Sequence, residues 1–148
     1  MLRKLKFTVG FLAVIAIAIF IAYSAKDLAE PITLSIPSCD IKVECEYVVN
    51  PTSEQLQSSI DKPDIAAWHN NFIFDHAGQD FEGLWNMKYG DEAVFGTKHY
   101  RYVFTVKGFS DNGIYVKDGL LPKADLYLCT CVPGGEPYEI YIVGLVKQ

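Results

Sequence analysis

The stretch Leu126 to Cys131, "LYLCTC", runs straight into residues 132–146, "VPGGEPYEIYIVGLV". Two apolar segments, 125–131 and 138–147, flank a Pro-Gly-Gly connection that is longer than a tight hairpin turn. Their near-continuous apolarity predicts two central strands. Cys131 ends the first of them beside a flexible loop, where a thiol can face both solvent and a groove. Strand alternation points Cys129 the same way. A free cysteine usually packs as a small hydrophobe. Cys131 therefore reads either as core or as a nucleophile, and the second reading needs a base.

Outward from this pair, the rest of the chain is also strand-rich. "ITLSIP" (32–37) and "DIKVECEYVV" (40–49) alternate. Residues 50–61, with Pro51, Thr52 and Glu54 at the start, predict a short helix that Pro63 ends. "NFIFDH" (71–76) and "EAVFG" (92–96) are short strands. Residues 80–91 put Phe81, Leu84, Trp85 and Tyr89 near helical spacing, closed by Gly90. "KHYRYVFTVKG" (98–108) predicts a long strand, "DNG" (111–113) a turn, and 114–119 its partner. The sum is a mainly β, mostly antiparallel domain with one or two short helices. So many strands in about 115 residues favour a closed barrel.

Nucleophilic cysteine chemistry needs a partner that manages the proton, most often histidine. The chain has three: His69, His76 and His99. His69 lies in "AWHNN", read as a loop, and His99 opens "HYRYV". His76 ends a strand just before a small-residue loop, as Cys131 does, and is the best partner by pattern.

The N-terminus carries its own signal. "MLRKLK" is basic, and no charge follows from Phe7 to Tyr23. That 17-residue run is at the short end of a membrane span and long for a cleaved signal peptide. Residues 1–6 thus predict a cytoplasmic tail, 7–25 an uncleaved transmembrane signal anchor, 26–31 a stalk, and 32–148 a domain outside the cell. From Asp27 onward, nine Lys and Arg face 18 Asp and Glu, a net −9. Such acidity is a poor match for nucleic acid or for a basic membrane-surface patch. The four cysteines (39, 45, 129, 131) have neither zinc-knuckle spacing nor the look of a disulfide framework.

The order of these pieces resembles a sortase, the family of membrane-anchored cysteine transpeptidases. Tyr127-Leu128-Cys129-Thr130-Cys131 is similar to the family's T-L-x-T-C, with the first Thr changed to Tyr. "FIFDHAGQDFEGLWNMKYGD" carries His76, Phe81, Leu84, Gly90 and Asp91 where the family has its catalytic His, F-x-x-L and G-D. Tyr100, Tyr102 and Phe104 nearly match a Y-x-Y-x-V strand, and "IYIVGLV" matches the closing one. The resemblance spans residues 32–148 and implies a sortase-like β-barrel with Cys131 and His76 as catalytic residues. It implies that the thiolate attacks a peptide bond in the sorting signal of an exported protein. A thioester then passes to an amine on a cell-wall precursor or a pilin lysine, with no cofactor and no metal. Localisation would be the cell membrane, single-pass, with the catalytic domain extracellular.

Two departures bear on that reading. The family's Arg after the cysteine loop aligns with Glu139, which inverts the charge there. Arg101, the one Arg after the anchor, and Thr130 are then the candidates for oxyanion stabilisation or substrate positioning. Asp75 stands where the family has a small residue before its His. A sortase-like barrel that has lost turnover and kept peptide binding is one alternative. A cysteine hydrolase of unrelated fold is the other.

Overall fold

Alternation of apolar and polar side chains sets the strands, and a computed structural model shows how they close. It describes residues 30–49, 52–115, 121, 123–135 and 140–148. The anchor expected at 7–25, its basic tail and most of the stalk lie outside the described residues, as does Glu139. Among the described residues no helix is long and apolar enough to cross a membrane.

Eight strands form a closed barrel in the order β1-β2-β3-β4-β7-β8-β6-β5. β1 (Ile32–Ile36) and β2 (Ile41–Tyr47) pair antiparallel across a 3₁₀ turn, Pro37–Cys39. Asp40 closes that turn in the left-handed region, φ 54°. On β2, Ile41, Val43 and Cys45 are buried while Lys42, Glu44 and Glu46 are exposed, as period-two alternation requires. Helix α1 (Ser53–Ile60) follows. Thr52 accepts from Gln55 N, and the Gln55 side chain accepts from Thr52 N, a capping box that fixes its start. The helix carries the chain back so that β3 (Ile65–His69) runs parallel to β2. A two-residue turn with Asn70 at φ 52° then leads into β4 (Phe72–Asp75), antiparallel to β3.

β4 lies parallel to β7 (Leu126–Cys131), which pairs antiparallel with β8 (Ile140–Lys147). β5 (Glu92–Gly96) and β6 (Arg101–Tyr115) close the wall. Leu34, Ile36, Ile73, Leu128, Val143 and Leu145 fill the interior with no exposed surface. Each such side chain contributes about 1.5–3 kcal/mol by leaving water. A second, outer apolar patch joins Tyr127, Cys129 and Ile142 to Phe72, Phe74 and Ile140. β7 is therefore buried on both faces until its last residue, the physical reason for its unbroken apolar run.

Three expectations need correction. Residues 65–69 form β3, so His69 lies on a strand rather than in a loop. Bonding between Ala66-Ala67 and both neighbouring strands overrides a segment with little period of its own. The expected turn at 111–113 does not end the strand: β6 continues to Tyr115 along β8, with residues 110–113 taken up in a register shift between Phe109 and Ile114 and a second shift at 106–108. Residues 80–91 form only a 3₁₀ turn, Glu82–Asn86. Gly83 comes so close to the β1–β2 turn that a Cβ would sit 2.2 Å from the Cys39 carbonyl oxygen.

Candidate active site

The parallel register of β4 and β7 aligns Phe74 with Cys129 and Asp75 with Thr130. One step further along each strand come His76 and Cys131. Partners in a parallel pair share a face, and successive residues alternate. Asp75 and Thr130 therefore turn into the barrel, 2% and 3% exposed. His76 and Cys131 turn outward, and Cys131 Sγ lies 4.0 Å from His76 Nδ1. The separation is loose for a hydrogen bond, as catalytic pairs often are without substrate.

The thiol has further support. The Ala77 N–H points at Cys131 Sγ from 3.5 Å. Burial works against the Cys131 thiolate, but the Ala77 N–H, the His76 side chain and the residue's own N–H outweigh it and pull the pKa below that of an ordinary thiol. The other three thiols go the opposite way. Burial pushes Cys39 up, Cys45 up to about 12, and Cys129 higher still. All four are free. Of the four, only Cys131 is shifted toward the thiolate, the nucleophilic form.

His76 is raised, first by its contact with Cys131; burial opposes this, and Asp61 adds to it. Its second nitrogen, Nε2, is 3.0 Å from Asp61 Oδ1 and 3.2 Å from Gln57 Nε2. Both partners come from α1 and its C-terminal cap. Sequence reading had not singled them out. The available signal was an acidic residue in the last turn of a helix, where the dipole favours a cation.

The pair opens onto a cleft of about 370 Å³. Its walls are Leu56, Gln57 and Ile60 from α1, Phe74 and Asp75 from β4 with His76 just after it, Cys129, Thr130 and Cys131 from β7, and Ile140 from β8. Phe74, Cys129 and Ile140 also line an adjoining apolar hollow with Phe72, Leu121 and Ile142. Two larger clefts, about 490 and 510 Å³, lie beside Glu46 and beside Cys39. Neither is lined by a histidine.

The remaining sequence candidates sit elsewhere. Arg101 opposes Gly96 on β5 and lines an outer hollow with Thr33, Ser35, Lys42 and Val94. Cys131 pairs with Ile140 at the start of β8, whereas Phe104 pairs with Lys147 at its end. Arg101 lies beyond Phe104, roughly ten strand positions from Cys131, on the order of 30 Å along the wall. The Thr130 hydroxyl is buried on the interior face and has no hydrogen-bond partner among the described residues. Neither side chain is brought to the sulfur. No Lys or Arg is among the described residues that line the cleft. His69 is tied at Nδ1 to the Val48 carbonyl, and His99 is exposed at the far end of the barrel. Among the described residues no group of acidic, His or Cys side chains is arranged to hold a metal ion.

No protein-family model matches the sequence, and no curated protein does. Solved structures do match. Sortase E1 from Streptomyces coelicolor, solved with a tripeptide in its active site, aligns over 80% of this chain and 88% of its own, at 15% identity and a TM-score of 0.60. The fold is that of the sortases. Sortase C-1 from Actinomyces oris aligns over 87% of this chain and 81% of its own, at 15% identity and a TM-score of 0.57. Clostridium perfringens sortase C, solved with the C-terminal cell wall sorting motif, aligns over 78% and 69%, at 18% identity and 0.56. A cysteine hydrolase of unrelated fold is thereby excluded. Identities this low establish a shared architecture, not a shared reaction.

Proposed function

We propose that this protein is a sortase-type cysteine transpeptidase. The observation that carries the reading is the Cys131–His76 pair: a thiol of lowered pKa, 4.0 Å from an imidazole of raised pKa, at the mouth of an apolar cleft in a sortase fold. The Cys131 thiolate attacks the carbonyl carbon of a peptide bond in an extended sorting signal. The tetrahedral adduct collapses as the His76 imidazolium gives its proton to the departing amine, leaving a thioester on Sγ. An incoming amine then attacks the thioester carbonyl, His76 takes its proton, and the thiolate leaves. The apolar walls suit the aliphatic side chains of a bound peptide. The substrate is the C-terminal sorting signal of an exported protein, and the acceptor an amine on a cell-wall precursor or a pilin. Residues 7–25 hold the chain in the cell membrane with the barrel outside.

The absence of a described cation in the cleft, together with Glu139 at the family's Arg position, favours a second reading: a peptide-binding module with impaired turnover. One experiment separates the two. The full chain in detergent micelles is mixed with a pool of sorting-signal peptides, with and without an added amine, and intact masses are followed. Transpeptidation gives an acyl adduct on Cys131 and an amine-joined product, both absent in Cys131→Ala. If neither the wild type nor Glu139→Arg cleaves or acylates while peptide still binds, the transpeptidase reading is wrong and the binding module stands.

A further inference from the structure

Imidazole can serve Cys131 only through a nitrogen that is free to take the thiol proton. Nδ1 faces the sulfur. What occupies Nε2 therefore decides which tautomer the ring adopts. Asp61 Oδ1 stands 3.0 Å from Nε2, and Gln57 Nε2 donates to the same Oδ1 at 2.8 Å. A carboxylate has no proton to give, so the shorter contact, to Asp61 at 3.0 Å rather than to the Gln57 amide nitrogen at 3.2 Å, favours a proton on Nε2. Nδ1 is then left as the acceptor toward Sγ. When the thiol proton arrives there, the resulting imidazolium is balanced by Asp61 on one side and the thiolate on the other.

The surroundings of Asp61 point the same way. It caps the C-terminus of α1, where the carbonyl ends of the helix disfavour a negative charge. The helix is secured by its N-terminal capping box and gains nothing from an acid at this end. Asp61 nevertheless holds its proton less tightly than an ordinary carboxylic acid, first through the hydrogen bond with His76 and then through Gln57. The helix thus accommodates an unfavourably placed charge that His76 uses.

We propose that Asp61 is a positioning residue that completes a Cys131–His76–Asp61 triad, with Gln57 aligning its carboxylate. It acts on the imidazole and does not touch substrate. The inference concerns how the proposed transpeptidase activates its thiol, and it rests on that reading only for its use in peptide transfer. Three titratable groups bear on His76: Cys131 from β7, Asp61 at the end of α1, and Asp75, whose Oδ1 accepts from the His76 backbone N–H at 2.6 Å. Asp61 is half exposed, 58%, so water shares the pair and its effect is moderate.

The test requires no peptide. The full chain in detergent is alkylated with iodoacetamide from pH 5 to 10, and modification at Cys131 is followed by peptide mass mapping. Asp61→Asn keeps the shape and removes the charge. It is expected to move the inflection of Cys131 reactivity to higher pH and to slow alkylation at pH 7 roughly two- to fivefold, the range of an exposed ion pair. In the Cys131→Ala background, the His76 ring followed by NMR should titrate at lower pH once Asp61→Asn is added. An unchanged alkylation profile together with an unchanged His76 titration would overturn the triad, whatever the peptide assay shows. If both move while the wild type still processes no peptide, the triad stands and the transpeptidase reading fails.

Discussion

Around the ends of β4 and β7, the same two strands present two residue pairs to two different environments. Outside, His76 and Cys131 share a cleft with water and with α1. Inside, Asp75 and Thr130 face each other in register, almost wholly buried. Among the described residues Thr130 Oγ1 has no hydrogen-bond partner, and the Asp75 carboxyl is left with the neighbouring Asp80 carboxyl, which is costly in an interior. The outer pair gains reactivity from its contacts: the thiol falls in pKa and the imidazole rises. The inner carboxyl is pushed up to about 7, first by burial; the His76 N–H opposes this, and Asp80's charge adds to it. One backbone register thus serves chemistry on one face and spends stability on the other. The link between them is the His76 N–H held by Asp75.

The largest way to break this comparison is on the outer face. Cys131→Ala should abolish peptide acylation, and His76→Ala should slow it by about 10³-fold or more, both read by intact mass. Acylation surviving in Cys131→Ala would move the nucleophile elsewhere. On the inner face the effect is one of stability. Asp75 holds a proton in the folded chain between the unfolded value near 4 and about 7, a range where the unfolded chain has released it. Stability is therefore full below that window and falls as pH rises through it. Asp75→Asn should remove the slope and raise stability above pH 7 by about 2 kcal/mol, measured by urea unfolding at pH 5 and 8. A slope that persists in the variant would mean another buried acid carries it.

Smaller effects sharpen the contrast. Thr130→Val replaces an unpartnered hydroxyl with a methyl group and should change stability by about 1 kcal/mol or less, with acylation retained. Loss of acylation in a folded Thr130→Val would return the hydroxyl to the active site. Arg101→Ala, at the other end of the wall, should leave Cys131 alkylation and peptide acylation within about twofold of wild type. A larger drop would show that Arg101 reaches the cleft in the bound state.

Much of this was legible in the residues. Alternation at 40–49, the unbroken apolarity of 126–131 and 140–146, and the sheer number of short strands pointed to a barrel, and the strand ends at His76 and Cys131 pointed to each other. Parallel pairing was not legible, because nothing in a strand's own period names its neighbour. For the same reason β3 was missed: Ile65 to His69 is a strand through the bonds that β2 and β4 supply. Arg101 looked available because it is the one Arg after Arg3, but register along β6 and β8, invisible in sequence, puts it far away. Asp61 offered one sequence signal, an acid at a helix C-terminus, but nothing local told where the helix that carries it and Gln57 would dock.

The parallel pairing of β4 with β7 has a kinetic consequence. His76 and Cys131 are 55 residues apart in the chain. They meet only when β4 and β7, with β5 and β6 between them in the chain, pair. Closing so long a loop is a late and comparatively slow event. Thiol reactivity at Cys131 is thus a clock for barrel closure, and nucleophilic power appears only once the fold that aims it is finished.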